Sequence, residues 1–237
     1  MPRDYAEARR RHSDAAARGD ADAQCSLASM HESGQGGPED YAEARRLYAF
    51  ASAQGHVRAQ CFLAAMHMVD DQGGPQNFAE ARRLYGLAAQ AGNARAQFVL
   101  AGMHLQGKGA PKSEKEARAL YSLAASQGHA GAQCSLSNMV SKGEGGSQDH
   151  VEARRLCELA AAQGNQVARC RLAMMTAQGL GGAQDPAEAR RLFGMDESPE
   201  VRAATAAVAE AVQDLRAAGV RAAAARARVQ VREAQRP

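Results

Sequence analysis

Tryptophan is missing from this 237-residue chain, and five Tyr and five Phe bring aromatics to only 4%. A core built with so few rings must be filled by Ala, Leu, Met and Val, and Ala-rich surfaces suit helices whose backbones approach closely. Neither sign of charge dominates: 29 basic residues stand against 26 acidic ones, a net of +3. That balance is too even to demand a nucleic-acid or membrane partner. No apolar run reaches the roughly 18 residues of a membrane-spanning helix. The N-terminus, Met1-Pro2-Arg3-Asp4-Tyr5, is polar and lacks the apolar core of a signal peptide. The expected location is therefore the cytoplasm. Strand-like alternation is also lacking.

What the chain has is a repeat, the feature that decides the fold when it is present. Glu-Ala-Arg begins at Glu7, Glu43, Glu80, Glu116, Glu152 and Glu188, in steps of 36, 37, 36, 36 and 36. Gly recurs in register at Gly19, Gly55, Gly92, Gly128 and Gly164. Leu27, Leu63, Leu100, Leu136 and Leu172 follow, then Met30, Met66, Met103, Met139 and Met175. A Gly-rich loop closes each unit at Gly36, Gly73, Gly109, Gly145 and Gly181. The extra residue of the second unit falls between Met66 and Gly73, where a loop absorbs it. The first unit begins almost at the chain's start, as it would in a piece cut from a longer protein.

Each unit reads as two helices. In the second, Ala44, Leu47, Tyr48 and Ala51 recur at i, i+3, i+4 and i+7, one face of a helix over about 41–54. Gly55 ends it. A second helix starts near Val57, with Ala59, Leu63 and Met66 inward and Cys61 or Phe62 beside them, and stops at Gly73-Gly74-Pro75. One hairpin cannot bury its own apolar face, so neighbours must stack. The expected fold is all-α, a right-handed α/α solenoid of about five and a half hairpins with a C-terminal helix. Repeats fall at about 5–40, 41–77, 78–113, 114–149 and 150–185, with a half repeat at 186–195 whose helix runs from Ala187 to Phe193. At roughly 10 Å per repeat the array spans on the order of 50 Å. Residues 198–237 form an Ala/Arg-rich capping helix and basic tail: Ser198-Pro199 is a start signal, and Val201, Val208 and Leu215 lie seven apart, with Thr205 and Val212 beside them. A coiled-coil dimer helix is the alternative there; otherwise the chain is expected to be a monomer. From Arg216 onward six Arg face Glu233 alone, a net of +5. Such a tail could tether nucleic acid or an anionic membrane, although it has no aromatics on which bases could stack.

The pattern Ala-x-x-Leu-Tyr-x-x-Ala-x-x-x-Gly, then Ala-Gln-x-x-Leu-x-x-Met, then a Gly-x-Gly loop, resembles the Sel-one-like repeat (SLR) family over residues 6–193, with Tyr41 to Gln76 a close match. The resemblance implies tetratricopeptide-like helix pairs and a non-catalytic adaptor or scaffold, as in membrane-protein quality control and bacterial signalling. Departures are visible. Leu47, Leu84, Leu120, Leu156 and Leu192 stand where the family often has an aromatic. Cys25, Cys61, Cys134 and Cys170, and His31, His67 and His104, stand where it often has Tyr. One branch of the family is cysteine-rich, disulfide-bonded and associated with β-lactam binding. Its cysteines lie closer together than Cys157 and Cys170 do here, which argues against an enzyme of that kind.

Candidate sites divide by spacing. Cys25, Cys61, Cys134 and Cys170 occur once per repeat, about 10 Å apart, beyond the roughly 7 Å a disulfide allows. Cys157 could face Cys170 within one hairpin; free buried thiols are the other reading. His31, His67 and His104 are likewise one per repeat and cannot converge on a metal; half-buried places at the end of the second helix suit them. His56 and His129 follow the turn Gly and are expected to be exposed. Lys108 between Gly107 and Gly109 lacks the strand and the following Ser or Thr of a phosphate loop. No cofactor is expected.

The charged ladder is the functional candidate. Arg9, Arg45, Arg82, Arg118, Arg154 and Arg190 hold one position on every first helix, with Arg10, Arg46, Arg83, Arg155 and Arg191 beside them. In tetratricopeptide-like arrays the first helix lines the concave face. An Arg stripe there would select partner segments with acidic side chains or a C-terminal carboxylate. Alternatively, Glu43 and Arg46, three apart, pair on a solvated face. Positions that vary between repeats are candidates for specificity: Ala49, Gly86, Ser122 and Glu158, beside Phe50, Leu87, Leu123 and Leu159, which could also be core.

Overall fold

The computed structural model describes residues 4–193, and these contain eleven helices and no strand. Five hairpins run in order: α1 (Tyr5–Ala17) with α2 (Ala21–Glu32), α3 (Tyr41–Ala53) with α4 (Val57–Met66), α5 (Phe78–Gln90) with α6 (Ala94–Gln106), α7 (Glu114–Ser126) with α8 (Ala130–Lys142), and α9 (His150–Ala162) with α10 (Gln166–Gln178). The half repeat is α11 (Pro186–Leu192). It starts one residue before the expected Ala187 because Pro suits a first helical turn, whose N–H groups lack partners anyway. The expected C-terminal helix with Val201, Val208 and Leu215, and the basic tail, lie outside the described residues.

Local chemistry sets the helix ends. Every helix from α1 to α10 opens on a side chain that accepts the N–H three residues on. Asp, Asn and Ser are usual in this role, but His56 and His129 also fill it, each taking an N–H on Nδ1 at 3.1 Å. These two are therefore caps, half-buried rather than exposed as expected; His56 also donates from Nε2 to Asp22 at 2.9 Å. The loop after each second helix is tied back by a backbone bond to that helix's end. Asp40 N donates to His31 O at 2.9 Å, and Asn77, Ser113, Asp149 and Asp185 repeat the bond on His67, His104, Val140 and Thr176.

The main packing is between helices adjacent in the chain, and the buried clusters of successive hairpins are bridged by partly buried side chains such as Leu120. One residue per first helix does most of the joining. Tyr48 is fully buried, donates its hydroxyl to Glu32 at 2.9 Å and stacks on Phe62 with centroids 5.2 Å apart. Tyr121 meets Phe98 of the preceding repeat at 5.7 Å. Tyr85 is buried enough to push its hydroxyl pKa up to about 12. In the fifth repeat the same place holds Cys157. Its thiol lies 3.0 Å from Ser137 Oγ on the preceding repeat, and its neighbouring thiol is Cys134. Cys157 therefore faces back along the array and not toward Cys170, which is exposed; all five cysteines are free. Only Cys25, Cys134 and Cys157 are buried thiols.

Candidate functional site on the first-helix face

Two arginines adjacent in sequence leave a helix about 100° apart, and here that angle gives them different jobs. Arg45 runs sideways under the loop of its own repeat. Its Nη2 lies 2.6 Å from His67 Nδ1 and 3.4 Å from the Pro75 carbonyl, and Gly74 passes directly over the guanidinium. Arg9 meets His31 Nδ1 at 2.7 Å, and Arg82 meets His104 Nε2 at 3.3 Å. Arg118, whose repeat has Val140 in place of the histidine, bonds the Glu144 and Ser147 carbonyls at 3.3 and 3.0 Å. Arg154 reaches Glu158 at 3.2 Å and lies under Gly182. A guanidinium can only donate, so the ring nitrogen facing each one must carry a lone pair. Burial and then the facing Arg lower the pKa of His31, His67 and His104, which keeps them neutral. Arg45 and Arg118 thus brace loops and Arg82 is held against His104 on α6, so these guanidinium groups already have partners within the fold.

The outer series does reach solvent, paired. Arg46 binds Glu43 through two bonds of 2.7 and 2.5 Å, Arg83 binds Glu80 at 2.9 and 2.6 Å, and Arg155 binds Glu152 at 2.7 and 2.7 Å. These pairs hold the carboxyls of Glu43, Glu80 and Glu152 below their ordinary range. The rim is therefore zwitterionic. The pattern changes at two repeats: in the first Glu7 pairs with Arg11, and in the fourth the outer Arg position is Ala119, so that Glu116, 64% exposed, has only His104 Nδ1 at 3.6 Å.

Beside the pairs runs an apolar row. Phe50, Leu87, Leu123 and Leu159 are 50, 39, 54 and 41% exposed, one per first helix. They are surface residues and not core. Arg46 lies over the Phe50 ring, 5.2 Å from its centroid. Between successive first helices the face sinks into hollows. One, of about 360 Å³, lies between α1 and α3 and is walled by Ser13, Gly19, Gln24, Leu27, Arg46 and Phe50 among others. Another, of about 290 Å³, lies between α7 and α9 and uses the same positions three repeats on: Ser122, Gly128, Gln133, Leu136, Arg155 and Leu159. Ser122 thus lines a hollow, and Ala49 and Gly86 hold the equivalent place on α3 and α5. A side-chain carbon at Gly86 would meet no atom within 4 Å, so the groove is open there. A smaller hollow of about 150 Å³ opens between α4 and α6 around Cys61, Arg58 and Arg95.

Two features escaped the sequence reading. One is the Arg–His brace, 22 residues apart in each of the first three repeats. The other is a glutamine relay across repeats, from Gln54 to Gln24, Gln127 to Gln97 and Gln163 to Gln133, each at 2.8 Å. Its signal was present as Gln recurring in step with the repeat. No group of three or more metal-ligating side chains occurs among the described residues, and no helix there is long and apolar enough to cross a membrane.

Comparison with known proteins gives these features a setting. The Sel1 repeat family model matches residues 21–56, 57–93, 94–129, 130–165 and 166–195. It frames the period half a unit later, pairing each second helix with the next first helix, across the junctions that hold the hollows. A crystal structure of a protective antigen from uropathogenic Escherichia coli strains with an SLR fold is 30% identical at a TM-score of 0.75. The match covers 78% of this chain and only 39% of that antigen. A Sel1 repeat protein from Oxalobacter formigenes is 28% identical at a TM-score of 0.69, covering 82% of this chain and 78% of its own. No curated protein matches. Sel1 repeat proteins generally mediate protein–protein interactions and are generally not enzymes.

Proposed function

The chain belongs to the Sel1 repeat family, and from that premise we propose that it is a non-catalytic, monomeric scaffold that holds a partner segment along its concave, first-helix face in a reducing cytoplasm. The observation that carries the reading is the exposed row Phe50, Leu87, Leu123 and Leu159, set between hollows at repeat spacing. Four large apolar side chains in line, rimmed by ion pairs, are a surface that gains by being covered. The row suits a partner that is extended or helical and presents an apolar side chain about every 10 Å. The Arg46–Glu43, Arg83–Glu80 and Arg155–Glu152 pairs would set orientation more than affinity, since exposed pairs contribute little. Acidic or C-terminal carboxylate groups on the partner would be drawn to Arg46, Arg83 and Arg155 by exchange with their glutamates. Arg45, Arg118 and Arg154 would act from behind, by holding the loops, and Arg82 by holding His104. Ala49, Gly86, Ser122 and Glu158 would tune each hollow.

Selection of 12-residue peptides displayed on phage tests this reading. Selected peptides should bind the full chain and lose at least about tenfold in affinity with Leu87→Glu or Leu123→Glu, while circular dichroism stays unchanged. Peptides that bind both variants as well as the parent would place the binding surface elsewhere. Binding that needs residues 216–237 and collapses at high salt would favour the basic tail instead.

A further inference from the structure

The tyrosine that joins a repeat to the one before does not find the same partners along the array. Tyr48 donates its hydroxyl to Glu32 Oε2 at 2.9 Å, and Ser135 stands beside the hydroxyl of Tyr121. Tyr85 has neither neighbour: Met68 is in register with Glu32, and Val99 is in register with Ser135. Tyr85 is 5% exposed, and its hydroxyl has no hydrogen-bond partner among the described residues. The hydroxyl is not sealed in, however. Tyr85 lines the hollow of about 150 Å³ between α4 and α6, and its oxygen is not one of the polar atoms closed to solvent.

The other polar walls of that hollow are cationic. Arg58 and Arg95 line it and no acidic side chain does. Arg58 lies over the Phe62 ring, 5.9 Å from its centroid, and neither arginine has an acidic partner among the described residues. The residues in register with them are Asp22, Gly131 and Val167, so only this junction has an arginine at both places. Cys61 adds no negative charge, because burial raises its pKa and keeps the thiol protonated. Asn93, which caps α6, is also in the wall, so the positive end of that helix borders the hollow. Buried donors are almost always paired, and this one faces two cations without counter-charge.

We propose that the hollow between α4 and α6 binds a carboxylate on a short aliphatic stem, one oxygen accepting from the Tyr85 hydroxyl and the charge being met by Arg58 and Arg95. The first junction shows the group that fits, since there the chain's own Glu32 carboxylate takes the equivalent hydroxyl at 2.9 Å. A volume of about 150 Å³ is the share of about five waters, which suits a group the size of propionate or the end of a Glu side chain. Phe62 and Ala65 give the stem apolar walls. An ammonium would be repelled by both arginines, and a neutral amide would leave their charge uncompensated. The site shares no residue with the hollows of the first-helix face and does not depend on that face being a partner groove.

Titration of the ¹⁵N-labelled full chain, followed by two-dimensional NMR at constant ionic strength, tests the site. The probes are propionate, propionamide, inorganic phosphate and a blocked pentapeptide with one central Glu. Propionate should saturate shifts around Cys61, Asn93 and Arg95 with a Kd on the order of 1 mM, and propionamide should bind at least about tenfold more weakly. Arg95→Gln and Tyr85→Phe should each weaken propionate by about tenfold. Tyr85→Phe should do so without lowering the melting temperature, because the hydroxyl it removes has no partner in the fold. Ala65→Glu puts a carboxylate of the chain itself beside the arginines and should abolish binding. Tighter binding of the pentapeptide than of propionate assigns the carboxylate to a partner's side chain; the reverse assigns it to a free acid. Equal shifts with propionate and propionamide, phosphate saturating at lower concentration than propionate, or propionate binding that survives Ala65→Glu overturns the inference, whatever the outcome at Leu87 and Leu123.

Discussion

Replacing Arg45 and Arg46 by alanine, one at a time, separates two roles that sit on neighbouring residues. Arg45→Ala removes the stem packed under Gly74, the bond to His67 at 2.6 Å and the bond to the Pro75 carbonyl at 3.4 Å. It leaves His67 facing a gap and the loop without its brace. Loss of one charge-assisted bond in a half-buried place, plus lost packing of the stem, amounts to about 2 kcal/mol. For a chain of this size that is a fall of about 4–8 °C in melting temperature. Arg46→Ala removes an exposed pair to Glu43 and the exposed stacking over Phe50, and should move the melting temperature less, by about 1–2 °C. Thermal unfolding followed at 222 nm at pH 7.5 measures both. Equal small shifts would mean that Arg45 is not held by the loop, and would restore the reading of Arg45, Arg82 and Arg118 as a free stripe. Binding should run the other way: Arg46→Ala weakens capture of an acidic peptide, and Arg45→Ala does so only through lost stability.

The first three repeats should be acid-sensitive. Burial and the facing arginines lower the pKa of His31 (Arg9 and Arg46, partly offset by Glu43 and Asp40), His67 (Arg45 and Arg83, offset by Glu80) and His104 (Arg82, offset by Glu116). A lowered histidine pKa means that the unfolded chain takes up protons first, so stability is full above about pH 7 and falls as pH drops below about 6.5. The lowered carboxyls of Glu43, Glu80 and Glu152 contribute loss only below about pH 4.5, which leaves the window between for the histidines. Changing all three histidines to valine, the residue the fourth repeat uses at Val140, should flatten the melting profile from pH 7.5 to 5.5; an unchanged slope refutes the assignment. Gly73→Ala should cost clearly more than Gly55→Ala. Both have positive φ, +72° and +82°, but a side chain at Gly73 would overlap the Tyr41 carbonyl, whereas at Gly55 it meets nothing within 4 Å. Strain alone is about 1–2 kcal/mol, so urea midpoints that match for the two variants would deny the close approach. Native thiol titration should find Cys170 fast and Cys25, Cys134 and Cys157 slow, because those three are buried and burial raises their pKa; three or more fast thiols would contradict the packing at Tyr48 and Ser137.

Periodicity made the scaffold legible. Ala44, Leu47, Tyr48 and Ala51 were placed inward from spacing alone, and all four are buried. Register also gave the turn at Gly55 and the loop at Gly73, because a repeat shows which glycines the backbone needs. What periodicity could not give was the direction of side chains at the margin of the buried stripe. Arg45 and Arg46 look alike in sequence, and only the path of the Gly74 loop sends one beneath it. Leu87 and Leu123 could have been core or surface, since a leucine next to an alanine stripe fits either until the neighbouring helix is placed. Hairpin logic leaves Cys157 free to face Cys170 or to be a buried free thiol, and cannot show that its place faces the repeat before, where its neighbours are Ser137 and Cys134. Asp and Asn caps are readable from sequence; a histidine cap such as His56 is not, because its ring nitrogen must first be shown to face an N–H.

A perfect repeat would offer every partner the same surface at every step, and could fix neither register nor direction along the groove. On the proposed reading, specificity would come from places where the pattern breaks, and besides Val140 and Cys157 three breaks lie on or behind the first-helix face. Ala119 removes one outer arginine and leaves Glu116 the uncompensated acid of the row. Gly86 opens one wall, although glycine in a helix interior costs about 1 kcal/mol relative to alanine. Ala91 takes away one relay glutamine and leaves Gln60 Oε1 unpaired. All three fall within two adjacent junctions, between α3 and α7, in the middle of the array. Gly86 and Ala91 each give up stability that the other repeats keep, and they do so where a bound segment would be covered from both sides.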